Sequence, residues 1–362
     1  MQINKPANNN KYVQIMINPL TLIRKNILAL EPYSTARDEF KGGDISAWLD
    51  ANESPYDNGV NRYPDPHQRE LKHKISGLFG IAAESIFLGG AGSDEAIDLT
   101  FRIFCTPGVD NAVAITPSYG VYKVAADIND IELREVQLNE DFSLPVERLL
   151  AAADSKTKLI WICSPNNPTG NAFPKEEILS IARNFNGMVV VDEAYADFSS
   201  RGSLLPELSS NPNLIILRTF SKAWGMAGMR AGMAFAIPEI IEYFDRVKYP
   251  YNMSRPVQDE LLRRIDEGTG NHITEIKEWR EIMSRELPGI DCVERVYPTD
   301  ANFILVKVSD ANAIYDYLIE NGVIVRNRSK MPGCAETLRI TIGTPDENRR
   351  TLQLLRELKI EN

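Results

Sequence analysis

The segment LIILRTFSKAWGMAGMR (residues 214–230) joins an apolar run to a lysine set among glycines, methionines and a tryptophan. Residues 214–217 have the length and composition of a buried strand. Lys222 follows closely, with Arg218 and Arg230 on either side. Because burial of an unpaired ammonium costs free energy, this position predicts a lysine with a chemical role.

Similar apolar runs recur along the chain, at residues 112–116, 133–138, 158–163, 188–191 and 232–237. Helical patterns separate them, which predicts a mainly parallel sheet covered on both faces. After about residue 250 the pattern becomes a charged helix, short strand runs at 302–308, 323–325 and 338–342, and a last helix whose capping box opens at Thr344. We therefore expect an α/β fold with an N-terminal arm (1–45), a large domain (46–250) and a small α+β domain (251–362).

Composition narrows the class of protein. The chain has 362 residues, a net charge of −10 and no run of the ~20 apolar residues that span a bilayer. The acidic balance disfavours nucleic acid as a partner. The first 20 residues lack the pattern of a secretory signal, and the four cysteines lack paired or zinc-ligand spacing. We expect a soluble, cytoplasmic protein with reduced thiols, without a metal and without a membrane or nucleic-acid partner.

Polar groups follow several of the predicted strands. Asp192 comes directly after residues 188–191, Asn167 lies in the turn SPNNPTG (164–170), and GGAGSDE (89–95) opens a helix. Parallel sheets bind ligands at the carboxyl ends of their strands. Singly, these motifs also read as a helix cap, a surface turn or the second nucleotide motif of an ATPase. The ATPase reading requires a GxxxxGK[ST] segment, which the sequence lacks.

Together the motifs match the needs of pyridoxal 5'-phosphate. The cofactor phosphate requires a helix N-terminus with a hydroxyl and a guanidinium, the pyridine nitrogen requires a carboxylate, and the aldehyde requires a lysine for an imine. The residues predicted for these tasks are, in turn, Gly92, Ser93, Asp94, Ser221 and Arg230 for the phosphate, Asp192 for the ring nitrogen, Asn167 and Tyr195 for the phenolic oxygen, and Lys222 for the imine.

These motifs resemble those of the fold-type-I aminotransferases of classes I and II, in particular the histidinol-phosphate aminotransferase family. The segments LEPYSTAR (30–37), LDANESP (49–55), NRYPD (61–65) and the arginine segments near the C-terminus are similar to that family's motifs. The resemblance covers the chain after about residue 20 and implies a seven-stranded sheet and a homodimer. It also implies that Tyr119 stacks on the pyridine, Tyr63 reaches the partner's cofactor phosphate, and Tyr33, Arg326 and Arg339 hold the substrate anion.

The resemblance implies ping-pong amino transfer between L-glutamate and imidazole acetol phosphate, giving L-histidinol phosphate and 2-oxoglutarate in histidine biosynthesis. Three alternatives stay open: an aromatic amino acid aminotransferase, a threonine-phosphate decarboxylase, and a non-catalytic protein that only binds pyridoxal phosphate. Tyr33 and Arg326 favour a phosphorylated substrate over a plain aromatic acid, since a phosphate dianion profits from two cations and a phenol. They do not exclude the decarboxylase.

Overall fold

The structure is a computed structural model that describes residues 18–35 and 42–358. At its centre is a sheet of seven strands in the order β1-β7-β6-β5-β4-β2-β3. Strand β7 is antiparallel to both of its neighbours, and the other pairs are parallel. The prediction of a mainly parallel seven-stranded α/β sheet is therefore confirmed. The strands are β1 Ile86–Gly92, β2 Asn111–Thr116, β3 Glu132–Gln137, β4 Thr157–Cys163, β5 Met188–Asp192, β6 Leu214–Thr219 and β7 Gly232–Phe235.

Helices cover both faces of this sheet. Alternate strand residues enter two separate cores, with Ile160 and Ile162 in one and Leu159 and Trp161 in the other, as the period of two in a strand requires. The helices of the described chain are α1 Lys25–Leu28, α2 Arg69–Phe79, α3 Ser93–Phe104, α4 Val121–Ile128, α5 Val146–Ala151, α6 Lys175–Asn184, α7 Pro238–Val247, α8 Arg255–Glu267, α9 His272–Glu286, α10 Ala311–Glu320 and α11 Pro345–Glu357. None of them is both long enough and apolar enough to cross a membrane.

A second, antiparallel sheet of four strands lies in the C-terminal part, in the order β10-β11-β9-β8. Its strands are β8 Val293–Val296, β9 Phe303–Val308, β10 Arg326–Asn327 and β11 Thr337–Thr341. With α9, α10 and α11 it encloses a third core. The capping box predicted at Thr344 is confirmed, because its backbone N–H donates to Glu347 at 2.7 Å and its hydroxyl accepts from the Glu347 N–H at 3.4 Å.

Two details differ from the sequence predictions. The strand expected at 323–325 is wrong: Ile324 is 79% exposed, and the pairing with β11 begins only at Arg326. Helix α8 packs on α2, and its Leu261 belongs to a core of the large sheet although the small domain was expected to start at 251. The domain limits at 45/46 and 250/251 remain predictions. The last two residues of LEPYSTAR lie outside the described residues.

Candidate active site

A pocket with about 490 Å³ of empty space, part of it open to solvent, lies where β4, β5 and β6 end and α3 begins. The sequence predicted eleven cofactor-binding residues, and all of them except Tyr63 border this pocket. Cys163, Ala194 and Thr219 also border it and were not predicted. The full lining is Gly92, Ser93, Asp94, Tyr119, Cys163, Asn167, Asp192, Ala194, Tyr195, Thr219, Ser221, Lys222 and Arg230.

Glycines bring the backbone close together at the N-terminus of α3. Gly92 has φ +79°, and a Cβ there would lie 2.7 Å from Nη2 of Arg230. A Cβ on Gly232 of β7 would lie 2.0 Å from the backbone nitrogen of Ser93. The backbone contact requires glycine at 232, and the positive φ favours glycine at 92, so the two glycines allow the helix N-terminus and Arg230 to share one end of the pocket. A helix N-terminus beside a guanidinium is suited to a phosphate.

Another wall of the pocket carries Asp192, which is 3% exposed at the end of β5. Its Oδ2 accepts a hydrogen bond from the Tyr122 hydroxyl at 2.8 Å, and its Oδ1 accepts one from the Ala194 N–H at 3.1 Å. Burial raises the pKa of Asp192 to about 6, and the two hydrogen bonds oppose that rise. Tyr122 was not singled out from the sequence, because a tyrosine in an amphipathic helix reads as an ordinary core residue.

Lys222 lies between these two ends. Its Nζ is 5.6 Å from the centre of the Tyr195 ring. The side chain keeps exposed surface because the pocket is open, yet the surrounding protein atoms lower its pKa, and the positive charge of Arg339 lowers it further. An amine with a lowered pKa is unprotonated over a wider pH range, so a larger fraction of it is available to act as a nucleophile or base.

Asp94 connects Tyr119 to Arg230. Its Oδ1 accepts a hydrogen bond from the Tyr119 hydroxyl at 3.1 Å, and its Oδ2 is 3.4 Å from Nη2 of Arg230. The same Nη2 donates to the Ala91 carbonyl at 3.1 Å. Burial raises the pKa of Tyr119, so its hydroxyl remains protonated and keeps donating to Asp94. The contacts hold the Tyr119 ring at the side of the pocket.

Four predicted residues do not line the pocket of their own chain. Tyr33 is 75% exposed, and Tyr63 is 49% exposed and stacks on Tyr251 with ring centres 4.3 Å apart. Arg326 is exposed at the start of β10. Arg339 reaches the border of the pocket, because its Nη1 donates to Oδ1 of Asn167.

Arg326, Arg328 and Arg339 form what we call the arginine face. Arg326 lies opposite Arg339 in the antiparallel pair, and Arg328, two residues on, continues the ladder through its N–H to the Thr337 carbonyl at 2.9 Å. Burial lowers the pKa of Arg328 to about 10, and the charges of Arg339 and Arg326 contribute. Arg328 was missed from the sequence, because only the register reveals that it continues the same face.

No acidic partner neutralises the arginine face within the described part of the chain. None of its three guanidiniums has a carboxylate oxygen within 4.0 Å among residues 18–35 and 42–358. The Nε atoms of Arg328 and Arg339 and the hydroxyl of Ser329 are buried without a hydrogen-bond partner there. Buried donors without acceptors are costly, so the chemistry of this surface suits an anion.

Comparisons with known proteins agree with this geometry. The family model described as aminotransferase class I and II matches residues 36–355. A histidinol-phosphate aminotransferase of Parabacteroides distasonis is 51% identical over 341 residues, covering 94% of this chain and 98% of the relative. Two crystal structures share the fold. The histidinol-phosphate aminotransferase of Clostridium acetobutylicum superimposes with TM-score 0.75 at 23% identity, over 82% of this chain and 90% of that one. That of Sinorhizobium meliloti, in complex with pyridoxal-5'-phosphate, gives 0.73 at 24% identity and 82% of both chains.

Proposed function

Because this chain belongs to the aminotransferase class I and II family, and within it to the histidinol-phosphate aminotransferases, we propose that it exchanges an amino group between L-glutamate and imidazole acetol phosphate. The products are 2-oxoglutarate and L-histidinol phosphate, and the reaction is a step of histidine biosynthesis. The observation that carries the proposal is a pocket in which Lys222 lies between a buried carboxylate and a helix N-terminus, with the arginine face at its border.

Pyridoxal 5'-phosphate suits the groups that surround this pocket. Its phosphate matches the start of α3 with the hydroxyls of Ser93 and Ser221 and the guanidinium of Arg230. Asp192, buried at the other end, provides the negative charge that a protonated pyridine nitrogen requires. The empty space of about 490 Å³ lies within the usual range for a small-molecule site. Tyr119 supplies an aromatic face, and Asn167 and Tyr195 supply donors for the phenolic oxygen.

Lys222 is the residue that reacts. When bound, pyridoxal phosphate supplies an electron sink for negative charge at the substrate α-carbon. The Nζ of Lys222 removes the proton from that carbon, and its lowered pKa keeps the amine in the unprotonated form that this task needs. Two hydrogen bonds hold Asp192 in place, so the negative charge that faces the ring nitrogen does not move during the reaction.

The arginine face selects the substrate. A phosphate dianion gains more than a monoanion from several cations, and the half-buried Arg328 and Arg339 have no carboxylate of their own in the described chain. The same guanidiniums serve the side-chain carboxylate of glutamate in the other half-reaction. Tyr33 adds a phenol from the N-terminal segment. The hydrogen bond from Arg339 to Asn167 ties substrate recognition to the residue that faces the cofactor oxygen.

The active enzyme is a homodimer in this proposal, and Tyr63 of each subunit completes the site of the other. Tyr63 is stacked on Tyr251 and lies outside the pocket of its own chain, which supports a role in the partner. Exposed apolar side chains of the same stretch, such as Leu49 and Tyr56, and Tyr249 beyond it, supply a surface that a second copy can cover.

Mixed dimers test the shared site. A Tyr63→Phe subunit paired with a Lys222→Ala subunit contains one site with both native residues if Tyr63 acts across the interface. Mixing the two proteins and allowing exchange should then restore tight cofactor binding and turnover in half of the sites of each mixed dimer. If Tyr63 acts within its own chain, every site keeps one altered residue, and mixing restores nothing.

The cytoplasm is the proposed place of action. All four cysteines are buried free thiols, as expected of a protein that needs no disulfide. Burial raises the pKa of Cys334 to about 11, which keeps this thiol protonated and unreactive. Fractionation of the native cells with activity in the cytosol would support this placement, and activity in an exported fraction would refute it.

A glutamate-forming assay tests the function. The purified enzyme is incubated with histidinol phosphate and 2-oxoglutarate, in parallel with phenylalanine, tyrosine and threonine phosphate as donors. We expect glutamate formation at least about 100-fold faster, in kcat/KM, with histidinol phosphate than with the aromatic acids, because only the phosphate uses the full arginine face. Carbon dioxide release from threonine phosphate without glutamate formation from histidinol phosphate would overturn the proposal in favour of the decarboxylase.

A further inference from the structure

Tyr122 contacts Asp192, the carboxylate predicted to face the cofactor ring nitrogen. It lies in the first turn of α4 and is 2% exposed, and its hydroxyl donates to Oδ2 of Asp192 at 2.8 Å. Asp192 also accepts from the Ala194 N–H through Oδ1. Each carboxylate oxygen is thus held by one donor. Each oxygen keeps a further lone pair for a group inside the pocket.

The ring of Tyr122 is fixed by aromatic neighbours on two sides. It stacks on Trp161 with ring centres 5.0 Å apart and an angle of 23°. It meets the ring of Tyr119 edge-on, with centres 5.6 Å apart and an angle of 87°. Tyr119 is the ring that faces the pocket, so one buried side chain positions both the carboxylate and the aromatic wall.

The hydroxyl of Tyr122 is a constant donor. Burial raises its pKa well above the ordinary value, and the negative charge of Asp192 raises it further, so the phenol stays protonated at all physiological pH. Asp192 itself is stabilised in its ionised form by the two donors and by Lys222, and destabilised by burial and by Asp94. Loss of the hydroxyl would leave the buried carboxylate with one donor and free to rotate.

We propose that Tyr122 is a positioning residue of the aminotransferase reaction, whose hydroxyl fixes the orientation of Asp192 and keeps it ionised against the cofactor ring nitrogen. The inference rests on the proposed function, because it needs pyridoxal phosphate in this pocket. The plain structural alternative is that Tyr122 fills the core and that its hydrogen bond only satisfies a buried hydroxyl. The two differ in whether Tyr122 acts through Asp192.

A double-mutant cycle separates them. The full-length proteins are wild type, Tyr122→Phe, Asp192→Ala and the double variant, each freed of cofactor and titrated with pyridoxal 5'-phosphate. Tyr122→Phe keeps both ring contacts and removes only the hydroxyl. We expect it to weaken cofactor binding about 10-fold when Asp192 is present, and by less than about 2-fold in the Asp192→Ala protein.

Kinetics and absorbance provide independent readouts. With Tyr122→Phe, kcat should fall about 10-fold while KM for glutamate changes little, because the change weakens the support of charge in the transition state. Without the Tyr122 hydroxyl, Asp192 is less ionised and the ring nitrogen carries less positive charge. The pH midpoint of the visible absorbance change of the bound cofactor should therefore rise. The matched control is Tyr297→Phe, a buried tyrosine packed on Phe142 outside the pocket, whose hydroxyl has no hydrogen bond among the described residues.

Two results would overturn the inference. One is a Tyr122→Phe protein with the cofactor affinity, kcat and absorbance titration of wild type. The other is an equal loss of cofactor affinity with and without Asp192, which marks a general packing effect. Either can occur while the wild-type protein binds pyridoxal phosphate and forms glutamate, so failure of this inference is distinct from failure of the proposed function.

Discussion

The cofactor side of the site and the arginine face are built in opposite ways. On the cofactor side, around Asp192, Asp94 and Arg230, the charged groups already have partners within one chain. On the arginine face, guanidinium nitrogens are buried without an acceptor in the described chain. The first arrangement is preorganised for one resident molecule, whereas the second is costly until an anion arrives. The difference supports the proposal that the first half holds the cofactor and the second half exchanges substrates.

The largest expected effect is on the cofactor side and comes from replacing Lys222. Lys222→Ala removes the amine that moves the proton, so kcat should fall by at least about 10⁴-fold while the pocket still binds cofactor. Lys123→Ala is the matched control, since Lys123 forms an exposed pair with Asp127 on α4. Steady-state glutamate formation measures both. Activity of the Lys222→Ala protein within 10-fold of wild type would remove Lys222 from the mechanism.

The arginine face should respond in substrate handling instead. Arg339→Lys keeps the charge but loses the planar fork and the bond to Asn167, so kcat/KM should fall about 100-fold for histidinol phosphate and for glutamate. Cofactor affinity should change by less than about 3-fold, because Arg339 touches the pocket only through Asn167 and does not line it. Arg349→Lys, at an exposed pair with Asp346, is the control. Equal losses in cofactor and substrate binding would show that the two halves are not separate.

On the cofactor side, the stability of the cofactor-free protein should depend on pH through Asp192. The pKa of Asp192 rises from 3.8 to about 6 on folding, so the cofactor-free protein binds the proton more tightly than the unfolded chain does. This contribution to stability is complete below about pH 4 and is lost as pH rises through 6. It amounts to about 3 kcal/mol at most. In urea unfolding at pH 4.5 and 7, the free energy of unfolding of Asp192→Asn should increase relative to that of wild type as pH rises. A pH-independent difference would contradict the assignment.

The smallest effect concerns the arginine that the sequence did not reveal. Arg328→Gln should raise KM for histidinol phosphate about 10-fold and KM for glutamate less, because the dianion loses more Coulomb attraction than the monoanion. Arg285→Gln changes the net charge equally from an exposed position on α9 and serves as the control. Equal KM changes in the two variants would show that Arg328 acts only through the overall charge of the protein.

The cofactor half was the more predictable from sequence, for a physical reason. Strand ends of a parallel sheet converge, so Asn167, Asp192 and Lys222 could be placed together once the apolar runs were recognised. The strand β1 was not recognised, because its later part is the glycine turn itself. Tyr122 was missed because its role depends on a contact across 70 residues, between α4 and β5.

The arginine face was less predictable. Arg326 and Arg339 came from the resemblance, and their cross-strand pairing appears only in the register of β10 and β11. Arg328 follows from that register, which the wrong placement of a strand at 323–325 obscured. Local pattern identifies strand ends, whereas the meeting of two short strands in the C-terminal sheet depends on tertiary packing.

The proposed function depends on a covalent bond between Lys222 and the cofactor. Borohydride reduction of the purified, cofactor-loaded enzyme, followed by trypsin and mass spectrometry, tests it directly. We expect a pyridoxyl group on Lys222, within an uncleaved peptide of residues 219–230, and on no other lysine in comparable yield. A colourless protein that takes up no pyridoxal phosphate, with Lys222 unmodified and cleaved by trypsin, would contradict it.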